Sequence, residues 1–176
     1  MKHIYIILSS SNTVPDRLIK RLTNFRYGHV ALSMNKDCKT VYSFGRRKPR
    51  NPFNGGFVIE QQDGPFYKLF NETECLIYEL PVSEEQYLKL NCILDTIAYH
   101  GHSYNYDFLG IVLRYFHIPV SFKKKYVCSF FIARLLRWAG IYEFSIPDFY
   151  VRPEHFTLIP EATVIYQGKY TDYRVQ

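Results

Sequence analysis

Apolar residues run unbroken from Ile4 to Leu8, inside a segment (residues 3–9) rich in Ile and Tyr, and predict a strand. Next, Thr13 is placed to cap a helix over Pro15–Thr23. Proline suits a first helical turn, and Leu18, Ile19 and Leu22 form an apolar stripe. "YGHVALSM" (27–34) and "TVYSFG" (40–45) have strand composition, and the turn residues "NKDCK" between them predict a hairpin. "RRKPRNPFNGG" (46–56) reads as a loop from its Pro, Asn and Gly content. "GFVIEQQ" (56–62) reads as a short strand or lid edge, and "CLIYELPV" (75–82) as a central strand.

The period then changes. Ser83 and Gln86 fit a capping box, and Tyr87, Leu90, Ile93, Leu94 and Ile97 make one helical face before His100. "YNYDFLGIVLRYF" (104–116) predicts a second helix. In "YVCSFFIARLLRWAG" (126–140), Phe131, Leu135 and Trp138 recur at helical spacing, and Gly140 is a natural stop. "ATVIYQGKY" (162–170) returns to strand. Strands gather early, helices follow and one strand closes the chain. The fold class is therefore α+β, in a single domain over residues 1–176.

Composition narrows the class. Hydrophobic residues make up 47% of the 176-residue chain, enough for a core. The net charge of +6 favours anionic partners without naming one. The basic runs Arg46–Arg50 and Lys123–Lys125 lack the interleaving of a nucleic-acid motif, so no nucleic-acid partner is expected. No stretch reaches the length of a membrane span, and the first apolar run is too short for a secretion signal. The cysteines (Cys38, Cys75, Cys92, Cys128) contain no C-x-x-C pair, which argues against zinc. A reduced, cytoplasmic chain with no metal or cofactor is the expectation.

Candidate chemistry centres on Cys128. In the first turn of a helix, free backbone N–H groups and the positive dipole end favour the thiolate, which is the nucleophilic form. The N–H of Ser129 adds a donor for an oxyanion. Against this, free cysteine is among the most buried residue types and its neighbours here are apolar. A cysteine nucleophile needs a base, and there are six histidines. His29 stands apart: Gly28 precedes it and "VALSM" follows, which puts it at the first residue of a strand. An ordinary strand-end histidine is the plainer reading of that residue alone.

Taken together, Gly28-His29-Val30 at a strand start and Tyr126-Val127-Cys128-Ser129 opening a helix about a hundred residues later resemble the permuted branch of the NlpC/P60 papain-like superfamily. That branch includes YiiX/YebB-like proteins, a poxvirus group and the lecithin:retinol acyltransferases. "YNYDFLG" (104–110) and the late "TVIYQGKY" are similar to its other motifs, so the likeness spans roughly residues 25–170. The resemblance implies a circularly permuted papain-like fold, with an antiparallel sheet packed on helices that include the cysteine helix. It also implies a Cys128–His29 dyad attacking an amide or ester carbonyl through a thioacyl intermediate.

A third polar residue, which orients the imidazole from the next strand, is implied too. With residues 35–39 as the turn, position 45 lies opposite 29 and position 43 on the same face, which makes Ser43 the positional candidate. Tyr42 serves if the register slips by one, and Glu60 if its strand folds back over the site. Tyr27, Tyr104 and Tyr106 are candidate substrate-binding residues. The substrates implied are small peptides, cell-wall fragments or lipid esters. A non-catalytic peptide- or lipid-binding module and a lipid acyltransferase are the competing readings.

Overall fold

The computed structural model describes residues 1–100, 105–107 and 125–175. Eight strands form one sheet: β1 (Lys2–Ser10), β2 (His29–Ser33), β3 (Thr40–Lys48), β4 (Asn51–Gln61), β5 (Glu74–Val82), β6 (Asn105–Tyr106), β7 (Lys125–Tyr126) and β8 (Thr163–Lys169). Their order is β7-β6-β4-β3-β2-β1-β5-β8. Neighbours are antiparallel except β6 and β7. Among the described residues the α-helices are α1 (Val14–Thr23), α2 (Pro65–Leu69), α3 (Glu84–His100) and α4 (Cys128–Trp138). The α+β class read from the sequence is what the chain adopts.

Both faces of the sheet are covered, and strand alternation sorts the core in two. On one face Ile4, Ile6, Leu8, Val30, Leu32 and Phe44 pack with Leu90 and Leu94 of α3 and with Phe131, Ile132 and Leu135 of α4. On the other, Tyr5, Ile7, Ala31, Val41, Cys75 and Ile77 meet Tyr67 of α2 and the C-terminal Tyr170 and Tyr173. Burial on two sides explains why β1 reads as a continuous apolar run and not as an alternating one. The Ser83–Gln86 capping box forms in both directions, at 2.8 and 3.1 Å. Gly140 adopts φ +71, the left-handed conformation that ends α4 without a side-chain penalty.

Two readings need correction. Residues 46–56 are not a loop: β3 runs on to Lys48 and β4 starts at Asn51, so most of the stretch is a β-hairpin arm with Pro49 and Arg50 at its tip. Gly45 and Arg46 pair with Gly56 and Gly55, and a register shift lies between Arg46 and Lys48. The glycines that suggest a loop are ladder residues beside an irregularity, where strand glycines often occur. Asn105 and Tyr106 begin no helix; they form β6, with Asn105 paired to Gly56. Asp107 is buried and not helical, and the rest of the helix expected over 104–116, Tyr104 included, lies outside the described residues.

Candidate active site

The site gathers where β2 begins, α4 begins and α1 crosses between them. Val127 is the N-cap of α4 and offers no side-chain cap, so the first N–H groups of the helix remain available to the Cys128 sulfur. The N–H groups of Val30, Ser129 and Cys128 itself all act to favour the thiolate. Burial outweighs them: Cys128 is 2% exposed, and its pKa is pushed up to about 11 chiefly by desolvation, with the Asp16 carboxylate acting in the same direction. The helix start is anchored by Ser129, whose Oγ donates to the Val151 carbonyl at 2.6 Å. Behind it Phe131 packs against Phe44 and Phe57, with ring centroids 4.7 and 5.7 Å apart.

His29 and Ser43 meet as the register reading expects. Leu32 pairs with Tyr42, and the same register sets Gly45 opposite His29. Ser43 Oγ lies 3.0 Å from His29 Nε2 and donates to the Val30 carbonyl at 2.8 Å. A hydroxyl has one proton. With that proton on Val30, Ser43 accepts and the imidazole donates, so Nε2 carries hydrogen and Nδ1 holds the lone pair. Desolvation lowers the His29 pKa to about 4, so the ring is neutral near pH 7.

The structure does not bring Cys128 into a hydrogen bond with His29. Cys128 packs in the core on the sheet face that carries α4, and the Val30 N–H bonds its sulfur. His29 pairs with Ser9 and shares its parity with Ala31, on the opposite face. Thiol and imidazole therefore flank the start of β2 from two sides. Each opens on its own recess. The His29 recess is also lined by Ser9, Asp16, Gly28, Arg46 and Glu60. The Cys128 recess is largely apolar and lined by Val127, Phe149, Val151 and Pro153. Ile19 of α1 lines both.

The other candidates are placed as follows. Glu60 is half-buried on the His29 face, and desolvation raises its pKa to about 7. Tyr42 belongs to the α4 face and packs against the core there, away from the imidazole. Tyr27 is 3% exposed within the core and lines neither recess, so the substrate-binding role expected for it is not what its position offers. Tyr106 sits in β6, backbone-paired to Tyr126.

Sequence reasoning missed Asp16. Its carboxylate is buried, and its Oδ2 accepts from the Asn12 N–H at 2.8 Å and the Ser10 hydroxyl at 3.2 Å. Its Oδ1 accepts from the Gly28 N–H at 3.1 Å. A Cβ on Gly28 would stand 2.4 Å from that oxygen, which is why glycine precedes His29. The only local signal was an acidic residue in a first helical turn, which reads as dipole complement.

No protein-family model matches the chain, and no curated protein matches it. Among the described residues, no helix is long and apolar enough to cross a membrane.

Proposed function

We propose that the protein is a cysteine hydrolase of the permuted papain-like kind, cleaving an amide or ester bond in a small peptide, cell-wall fragment or lipid. Cys128 is the nucleophile, His29 the base and acid, and Ser43 the residue that orients the imidazole. The observation that carries this reading is the Ser43–His29 bond, whose direction leaves the Nδ1 lone pair as the proton acceptor. A Cys128 sulfur at a helix start, against the N–H of the residue that follows His29, supports it.

In this mechanism the Cys128 proton passes to Nδ1 and the thiolate adds to the substrate carbonyl carbon. N–H groups at the start of α4 hold the oxyanion. The tetrahedral adduct collapses, the leaving amine or alcohol takes the proton from His29, and a thioester remains on Cys128. Water, deprotonated by His29, releases the acid and restores the thiol. An alcohol acceptor in place of water makes the same steps an acyl transfer. The reaction requires sulfur and imidazole to meet around the start of β2, because the described form shows no hydrogen bond between them and both groups are uncharged. Four free cysteines support a reducing, cytoplasmic setting.

A second reading has its own observation. A thiol 2% exposed, with its pKa raised and no bond to His29, suits a binding module that keeps the recesses and performs no turnover. Leaving-group release from a panel of peptide amides and acyl esters separates the two. The hydrolase reading predicts release that disappears in Cys128→Ala. Binding without any Cys128-dependent release favours the module.

A further inference from the structure

The segment between the two recesses is α1, and its attachment to the body is unusual. Both ends are marked by asparagines in the left-handed region, Asn12 at φ 54 and Asn24 at φ 52. Asparagine enters this region readily, so Asn24 is an ordinary left-handed cap that ends α1, and the two residues mark where the chain turns into and out of the helix. Among the α1 side chains described, Ile19 is the buried apolar one, at 9% exposure, while Leu22 is half-buried and Leu18 is 44% exposed. Thr13, at the N-cap, makes no capping bond to α1 with its side chain. What holds α1 in place is polar. Asp16 ties it to Ser10, Asn12 and Gly28, and Lys20 donates to Ser10 at 2.8 Å and Asn12 at 2.9 Å. Few buried apolar contacts and a polar attachment describe an element that opens at a fraction of the global unfolding cost.

Its position gives that opening a purpose. Ile19 forms a wall of the His29 recess and of the Cys128 recess, so lifting α1 opens the wall that both recesses share. The Gly28 N–H that Asp16 holds belongs to the residue immediately before His29, at the strand end around which thiol and imidazole must meet. We propose that α1 is a hinged cover over the two recesses, and that Asp16, clasping the Gly28 N–H, is the positioning residue that keeps it closed. This rests on the hydrolase reading for its meaning: the closed form is the resting form, and a substrate that displaces Ile19 joins the two halves of the site.

The test reads cover opening without turnover, so its failure is distinct from failure of the hydrolase reading. The full-length chain is treated with iodoacetamide, and each cysteine is followed by peptide mass spectrometry. Exposed Cys92 reports the reagent, and buried Cys38 and Cys75, which lie in the opposite core, report global unfolding. Asp16→Ala should raise Cys128 labelling relative to Cys92 by at least about tenfold while Cys38 and Cys75 stay protected. Gly28→Ala, whose methyl group displaces the carboxylate from the other side, should do the same. Labelling of Cys128 that is unchanged in both variants, that rises only in step with Cys38 and Cys75, or that rises only because the pH midpoint of its labelling falls while the limiting rate at high pH stays fixed, overturns the proposal.

Discussion

Ser43 Oγ stands 3.0 Å from His29 Nε2, and the Ser43 proton is committed to the Val30 carbonyl. One buried hydroxyl therefore fixes the tautomer of the imidazole, a task more often given to a carboxylate or amide. The assignment costs little charge: a serine leaves the ring neutral, where a carboxylate would raise its pKa.

Replacing Ser43 with alanine should leave the Val30 carbonyl and His29 Nε2 without their partner. The expected loss of stability is about 1–3 kcal/mol in urea denaturation, the usual cost of an unsatisfied buried polar group. Nitrogen NMR of the imidazole should show the Nε2–H form giving way to a tautomer mixture. An unchanged tautomer would show that something other than Ser43 holds the ring.

Stability should depend on pH through two groups of opposite sign. The His29 pKa falls from an ordinary 6.5 to about 4. Below 6.5 the unfolded chain binds a proton that the folded chain refuses, so this contribution is lost as pH falls from 6.5 to about 4. The Glu60 pKa rises from 4.5 to about 7. Above 4.5 the unfolded chain releases a proton that the folded chain keeps, so this contribution is lost as pH rises from 4.5 to about 7. Relative to His29→Gln, the unmodified chain should gain stability with rising pH across the first window. Relative to Glu60→Gln, it should lose stability across the second. Parallel curves for either pair would remove that group from the account.

Cys128 alkylation should climb steadily with pH beyond about pH 9, because its thiol is pushed up to about 11 in the closed form. A plateau on the acid side of neutrality would instead mean a preformed thiolate–imidazolium pair.

Ser83→Ala should cost about 1 kcal/mol through loss of the capping box, with no change in Cys128 labelling. Chemical denaturation and labelling of the same samples check both halves of that statement. A labelling change would mean that the start of α3 is coupled to the site through α4, on which α3 packs.

Much of the site was legible because it is local or set by register. The turn over residues 35–39 fixes Ser43 beside His29, and Val127-Cys128-Ser129 marks the start of a strongly apolar helix. What was not legible is which face of β2 receives that helix. Docking of α4 is a tertiary choice, although one sign was present: Val30 and Leu32 are the larger apolar set, and His29, Ala31 and Ser33 the smaller, more polar one. Parity alone would have warned that the ring and the helix prefer different sides. Asp16 was hidden for another reason, since its partner Gly28 is distant along the chain and only the fold brings them together. The 46–56 stretch failed because Pro and Gly punctuate a hairpin tip and its irregular ladder as readily as a loop.

The central claim is that sulfur 128 carries the acyl group and that imidazole 29 helps put it there. The most direct measurement is to quench the reaction with an activated acyl ester at short times and map the modified residue by peptide mass spectrometry, in the unmodified chain and in His29→Ala. The account predicts a single acyl group on Cys128, formed at least about a hundredfold more slowly without the imidazole. Acylation spread over all four cysteines, or equally fast in His29→Ala, would contradict it.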